Sequence, residues 1–247
     1  MQATPTSPAT GLSIVENDMR QVDRIIAQRL SSGVPLVGNV SHYIISAGGK
    51  RLRPALLLLC CGALGYEGDQ RFNMAAVVEF IHTATLLHDD VVDESALRRG
   101  RKTANALFGN AAAVLVGDFL YSRAFQMMVS DGSLEVLRIL SEAAATIAEG
   151  EVLQLMTQND TATTEEQYLQ VIEGKTAALF AAATEVGAVV ADRPASEQHA
   201  MRAYGHNLGI AFQLVDDALD YSAEQETLGK TVGDDFREGK ITLPVLI

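Results

Sequence analysis

Residues 71–93 read RFNMAAVVEFIHTATLLHDDVVD. A helix is predicted from about Arg71 to Asp93, and Val77, Val78, Phe80, Ile81, Leu86 and Leu87 make it apolar over most of its surface. Such a helix must be enclosed by other elements, so it belongs in the middle of a bundle. It ends in Asp89-Asp90-Val-Val-Asp93. Residues four apart share a helix face, so Asp89 and Asp93 project together, with Asp90 alongside. The polar end of a buried helix therefore carries three carboxylates.

The pattern recurs downstream. The segment 212–221, FQLVDDALDY, closes a helix predicted over Ser196 to Tyr221. There Asp216, Asp217 and Asp220 follow the apolar run Ala211 to Val215, as the first cluster follows Ala84 to His88. Like charges at this spacing destabilise a helix by roughly 0.2–0.5 kcal/mol per pair. Partial burial adds to that cost, and a divalent cation removes it. Carboxylate oxygens suit Mg²⁺, which keeps several waters and bridges a few carboxylates to phosphate oxygens. One such cluster reads equally well as a solvated acidic patch. Two of them, at equivalent places on apolar helices, point to metal sites.

The remaining chain is also helical by pattern: Ser13 to Ser31, Val37 to Ala47, Ala55 to Leu64, Ala104 to Phe108, Ala111 to Val129, Ser133 to Thr157 and Thr164 to Ala191. Thr164-Glu-Glu-Gln167 resembles a capping box. The chain has only six prolines and no tryptophan, and its β-branched runs are short, which favours an all-α fold. No linker or repeat divides it, so residues 13–247 are expected to form one helical domain after a disordered tail over 1–12. At 247 residues with 48% hydrophobic content, a sizeable core is within reach. A net charge of −12 with no basic stripe excludes nucleic acid as a natural partner. The adjacent Cys60 and Cys61 lie in a buried run and imply a reducing, cytoplasmic compartment. Met1 to Gly11 reads as a polar tail rather than a secretory leader, and no apolar stretch is long enough to span a membrane.

An acidic chain that handles anions needs local cations. Gly48-Gly49-Lys50-Arg51-Leu52-Arg53-Pro54 puts three of them at a helix N-terminus, where backbone N–H groups and the dipole favour phosphate. Arg can grip phosphate oxygens in bidentate fashion, whereas Lys acts as a point charge. Arg98-Arg99-Gly100-Arg101-Lys102, read as a basic loop or helix end, could clamp a diphosphate beside the first cluster. Gly174-Lys175-Thr176 interrupts a helical pattern, as close approach of substrate or tight helix packing would require. Lys230 and Lys240 flank Gly233-Asp234-Asp235. His82 lies two turns before Asp89 and reads equally as a satisfied core histidine.

Together these segments resemble the trans-prenyl diphosphate synthases. The matching stretches are GGKRLRP (48–54), LLHDDVVDESALRRG (86–100), GEVLQL (150–155), GKTAALF (174–180), FQLVDDALDY (212–221), and LGK with GDDFREGK (228–240). The resemblance implies an all-α bundle around a deep central cavity, of isoprenoid synthase type, usually a homodimer. It implies three Mg²⁺ ions held on an allylic diphosphate by Asp89, Asp90, Asp93, Asp216, Asp217 and Asp220. Arg98, Lys175 and Lys230 would contact that diphosphate, with Lys240 nearby. Lys50, Arg53, His82 and Arg99 would bind isopentenyl diphosphate. Thr176 and Gln213 would lie beside the allylic carbons. Any contact with a membrane would be peripheral, through the product. The released diphosphate is the family's usual candidate base, in line with the lack of a nucleophile motif here.

In this family, aromatic residues four or five positions before the first aspartate stop elongation early. Here those positions are Thr85 and Ala84, with Ile81, Val78 and Val77 further down. Small residues let the tail pass, so a product of roughly C40 to C50 is expected, of the kind used as quinone side chains. Phe125, Met127 or Met128 could set the floor, and Ala84→Phe should shorten the product. The family continues for several helices past the position of Ile247, which would add cavity wall and lid. Rival readings are a short-chain synthase, a class I terpene cyclase or head-to-head condensing enzyme, and the regulatory subunit of a heteromeric synthase. The cyclases and head-to-head enzymes lack GGKRLRP and the paired motif, and regulatory subunits usually lose an aspartate cluster.

Overall fold

The computed structural model describes residues 8–222 and 233–247. Most of the expected tail, residues 1–7, and Lys230 lie outside that set. The described chain is mostly helical: α1 (Pro8–Ser13), α2 (Glu16–Arg29), α3 (Pro35–Ser46), α4 (Leu52–Ala63), α5 (Gln70–Val92), α6 (Ala104–Phe108), α7 (Asn110–Asp131), α8 (Leu134–Thr157), α9 (Glu165–Ile172), α10 (Ala178–Val190), α11 (Ala195–Ser222), α12 (Asp234–Arg237) and α13 (Leu243–Leu246).

The punctuation follows local chemistry. Pro35 opens α3, where its missing N–H costs nothing. Gly132, at φ 81°, ends α7 in the left-handed region. Ser133 caps α8 by accepting the Val136 N–H, and Thr164 and Gln167 form the expected capping box on α9.

Helix α5 is the axis of the bundle. Met74 through Ile81 are all buried along it, and α2, α4, α7 and α10 surround it. Helix α10 is enclosed in the same way by α4, α8 and α11, with Phe180 and Leu179 among its fully covered side chains. Cys60 and Cys61 are buried free thiols on α4. Among the described residues, no helix is long and apolar enough to cross a membrane.

Two expectations need correction. The helix read over Thr164 to Ala191 is interrupted: Glu173–Ala177 form a π-helical turn between α9 and α10. The turn sits at a close crossing. A Cβ on Gly174 would lie 3.0 Å from the Gly150 Cα and 3.1 Å from the Thr146 carbonyl, so the two backbones touch through paired glycines. Of the two explanations for Gly174, the structure supports tight helix packing.

The basic stretch after the first cluster is neither loop nor helix end. Leu97–Arg98 (β1) pairs antiparallel with Arg101–Lys102 (β2). Arg99 and Gly100 between them have φ of 53° and 72°, as a two-residue I′-type turn requires.

Candidate active site

The C-terminal turns of α5 and α11 face a cleft of about 410 Å³, closed further by α8, α9, the π-turn and residues 235–242. Asp89, Asp93, Asp216 and Asp217 line it, as do Arg53, His82, Arg98, Arg99, Lys175, Thr176, Gln213 and Lys240. The fold thus brings together most of the residues singled out in the sequence. A larger groove of about 570 Å³ runs over α8, α10 and α11, but it holds no cluster aspartate.

The carboxylates within each cluster are not equivalent. Asp90 is fully buried, and its Oδ1 accepts from Arg98 Nε at 2.8 Å and Nη2 at 2.7 Å. Among the described residues its Oδ2 has no hydrogen-bond partner. Asp89 lines the cleft. Burial pushes its carboxyl up to about 7; Lys175 opposes the shift, and Glu151 and Asp93 reinforce it. Asp93 accepts from Lys240 Nζ at 2.7 Å, and the same ammonium reaches Glu238 at 2.6 Å. That contact ties the first cluster to the segment after α12.

In the second cluster Asp216 and Asp217 both line the cleft, but Asp216 is exposed and Asp217 buried. Asp217 is 2% exposed: its Oδ2 accepts from the Tyr168 hydroxyl at 2.6 Å and its Oδ1 from Gln213 Nε2 at 2.7 Å. Asp220 is fully buried and accepts the Asp235 N–H at 3.2 Å, while its carbonyl accepts from the Gly233 N–H.

The π-turn aims two side chains into the cleft. Lys175 Nζ donates to Glu151 Oε2 and Gln154 Oε1, both at 2.8 Å. The Thr176 hydroxyl donates to Gln213 Oε1 at 2.7 Å.

At the other end, Arg53 lies with its guanidinium 4.5 Å from the centre of the Phe180 ring and 3.3 Å from His82 Nε2. Burial and the neighbouring Arg53, Arg99 and Arg98 hold the His82 ring well below its usual range, so it is neutral. Arg99 packs its guanidinium against Gly49, where a side chain at φ +143° would collide with it. Arg51, left-handed at the start of α4, pairs instead with Asp23 and with Glu79 at 3.8 Å. Lys50 is exposed and does not line the cleft. Of the residues expected to set chain length, Thr85 lines the cleft, whereas Ala84 and Ile81 are buried in the core. Met127 and Met128 are buried there too, and Phe125 is exposed.

The chain matches the polyprenyl synthetase family over residues 34–247. It belongs to that family. Octaprenyl diphosphate synthase of Escherichia coli is 57% identical over 233 residues, which cover 94% of this chain and 72% of that protein. A decaprenyl diphosphate synthase structure from Rhodobacter capsulatus superposes with a TM-score of 0.90 at 53% identity, over 96% of this chain and 73% of the other. A polyprenyl synthase from Caulobacter crescentus, complexed with calcium and isoprenyl diphosphate, superposes with a TM-score of 0.95 at 51% identity over 99% and 75% of the two chains. This polyprenyl synthetase is a trans-prenyltransferase, and both aspartate clusters fall inside the matched span.

The donor set fits a divalent ion. Asp90 Oδ2 and Glu151 Oε1 are buried oxygens with no hydrogen-bond partner among the described residues, and every carboxylate at the cleft is a hard ligand. Among the described residues no three His, Cys, Asp or Glu side chains converge on one point. An ion here would take one or two carboxylates and complete its shell with water and substrate oxygens.

The sequence reading assigned no role to Glu151, Gln154, Tyr168 or Glu79. The first two lie in GEVLQL, three apart on the face that meets the π-turn, which is a usable signal. Tyr168 and Glu79 carry none, because their partners come from other helices.

Proposed function

We propose that this chain condenses isopentenyl diphosphate with an allylic prenyl diphosphate, giving an all-trans product of roughly C40 to C50, a length set by the room below the site. The observation that carries the reading is the two-walled cleft. Asp89 and Asp93 on α5 face Asp216 on α11 across it, with Lys175 and Lys240 beside them and Arg53, His82 and Arg99 at one end. That arrangement suits two diphosphates held next to each other.

Mg²⁺, three ions by the family pattern, would be held by Asp89, Asp93 and Asp216 and would supply electrostatic stabilisation to the leaving diphosphate. Lys175, pinned by Glu151 and Gln154, points a positive charge at that leaving group. Arg53 and Arg99 hold the second diphosphate, and neutral His82 orients Arg53 by accepting from it. Thr176 and Gln213 present oxygens where the allylic carbon becomes positive. The isopentenyl double bond then forms the new C–C bond. The proton lost from the adjacent carbon goes to the released diphosphate.

Long-chain output is supported by Thr85, which lines the cleft one turn below Asp89 with a small side chain. The free thiols of Cys60 and Cys61 suit a reducing, cytoplasmic setting. A homodimer is supported by the outer face of α7, where Val114, Leu115, Phe125 and Val129 are exposed. The test is turnover with farnesyl and isopentenyl diphosphates plus Mg²⁺, followed by chain-length analysis. Absence of condensation overturns the activity, and an end product of about C20 or shorter overturns the length assignment.

Position 85 should act as the gate. Thr85→Phe puts a ring into the cleft and should shorten the main product by several isoprene units with the first condensation largely intact. Ala84→Phe forces the same ring into a closed core and should cost about 1–3 kcal/mol of stability. Product profiles and melting curves of the two variants check this; the reverse assignment would show that the tail passes Ala84.

A further inference from the structure

Tyr168 stands outside every motif, yet its hydroxyl is the first link of a chain of hydrogen bonds that ends at Thr176 in the cleft. The side chain is 3% exposed on α9, and its hydroxyl lies 2.6 Å from Asp217 Oδ2. The phenol O–H is the donor and the carboxylate oxygen the acceptor. The other oxygen of Asp217, Oδ1, lies 2.7 Å from Gln213 Nε2. That contact settles which way the Gln213 amide faces, because only its NH₂ can donate to a carboxylate. Its carbonyl oxygen is then fixed 2.7 Å from the Thr176 hydroxyl, which donates to it. The order is Tyr168 to Asp217, Gln213 to Asp217, and Thr176 to Gln213, with each group's role set by the one before.

The direction matters for the reaction. Turned this way, the amide presents its negative end, and Thr176 turns its lone pairs away from Gln213. Reversed, the amide would present N–H groups to a developing carbocation. Rotating the amide exchanges attraction for repulsion at the same place, and the anchor that prevents it is the carboxylate clamped by Tyr168 from another helix.

We propose that Tyr168 is a positioning residue for the allylic ionisation step, acting through Asp217 to hold the Gln213 amide with its oxygen toward Thr176. This rests on the condensation proposed above and assigns a part of it to a residue that acts through Asp217. Loss of such an outer partner typically costs about 10- to 100-fold.

The test starts from wild-type turnover. If the wild-type chain does not condense its substrates, the proposed function fails before this inference is reached. If it does, Tyr168→Phe keeps the ring and removes only the donor. Its kcat should fall about 10- to 100-fold, with the KM for either diphosphate within about twofold. The variant should also become more sensitive to fluorine on the allylic substrate, since its site stabilises the cation less. A double-mutant cycle with Gln213→Leu separates positioning from general support. In the Gln213→Leu background, Tyr168→Phe should cause almost no further loss. Wild-type kcat in Tyr168→Phe, unchanged fluorine sensitivity, or multiplying losses in the cycle would each overturn the inference. Should Tyr168→Phe melt early, the cycle read on the folded fraction still decides.

Discussion

Asp216→Ala should lower kcat about 10³-fold with little change in melting temperature, whereas Asp220→Ala should lower the melting temperature and cost far less activity. Spacing makes these two residues equals, one turn apart on α11. Their surroundings differ. Asp216 is exposed and lines the cleft. Asp220 is fully buried and accepts the Asp235 N–H. Removing that acceptor strands a donor, worth about 1–3 kcal/mol. In a chain of this size that is a shift of roughly 2–12 °C. Some activity goes with it, because Asp220 anchors the segment that carries Lys240 to Asp93. Calorimetry and steady-state kinetics on the two variants, with Mg²⁺ titrated in each, separate the effects. Equal losses of kcat at unchanged stability would show that the working enzyme uses both carboxylates alike.

That contrast marks where sequence reading stops. The bundle and its axis were legible in α5, because a helix apolar on nearly every face has one place to go. The start of α9 was legible in its capping box. The meeting of the clusters was legible once both were placed at polar ends of buried helices. The roles inside each cluster were not. A DDxxD spacing says which carboxylates share a face; it does not say that Tyr168, 49 residues away, will claim Asp217, or that Arg98 will claim Asp90. The hairpin at 97–102 was missed because two-residue strands have no period to detect, and its left-handed Arg99 leaves no mark in composition. The π-turn was half visible. Gly174 stood out in a helical pattern, but its counterpart Gly150 sits on another helix, and only the crossing explains both.

Gly150→Ala tests that crossing and should be among the most damaging single-methyl changes in the chain. A Cβ there would lie 2.7 Å from the Lys175 backbone nitrogen and 2.9 Å from the Gly174 carbonyl carbon. Both are main-chain atoms, so no side-chain rotation relieves the contact, and α8 must move away from the π-turn. Overpacking of this kind costs about 1–3 kcal/mol. The functional cost is larger, because Lys175 reaches back across the same crossing to Glu151 and Gln154, which follow Gly150 on α8. Moving one backbone relative to the other by about 1 Å displaces the ammonium from its place in the cleft and should lower kcat/KM about 100-fold. Gly187→Ala is the matched control. Its Cβ would meet the Cys60 Cβ at 2.9 Å and the Leu57 carbonyl at 3.1 Å, where α10 crosses α4, so it should lose comparable stability. That contact lies roughly 18 Å along the helix from Lys175. The folded fraction of Gly187→Ala should therefore keep near wild-type turnover. If both variants lose activity in proportion to stability alone, the glycine pair supports the bundle without positioning Lys175. If only Gly150→Ala is slow when folded, the crossing is what sets the catalytic lysine, and the interruption of the helix at Glu173–Ala177 is part of the active site.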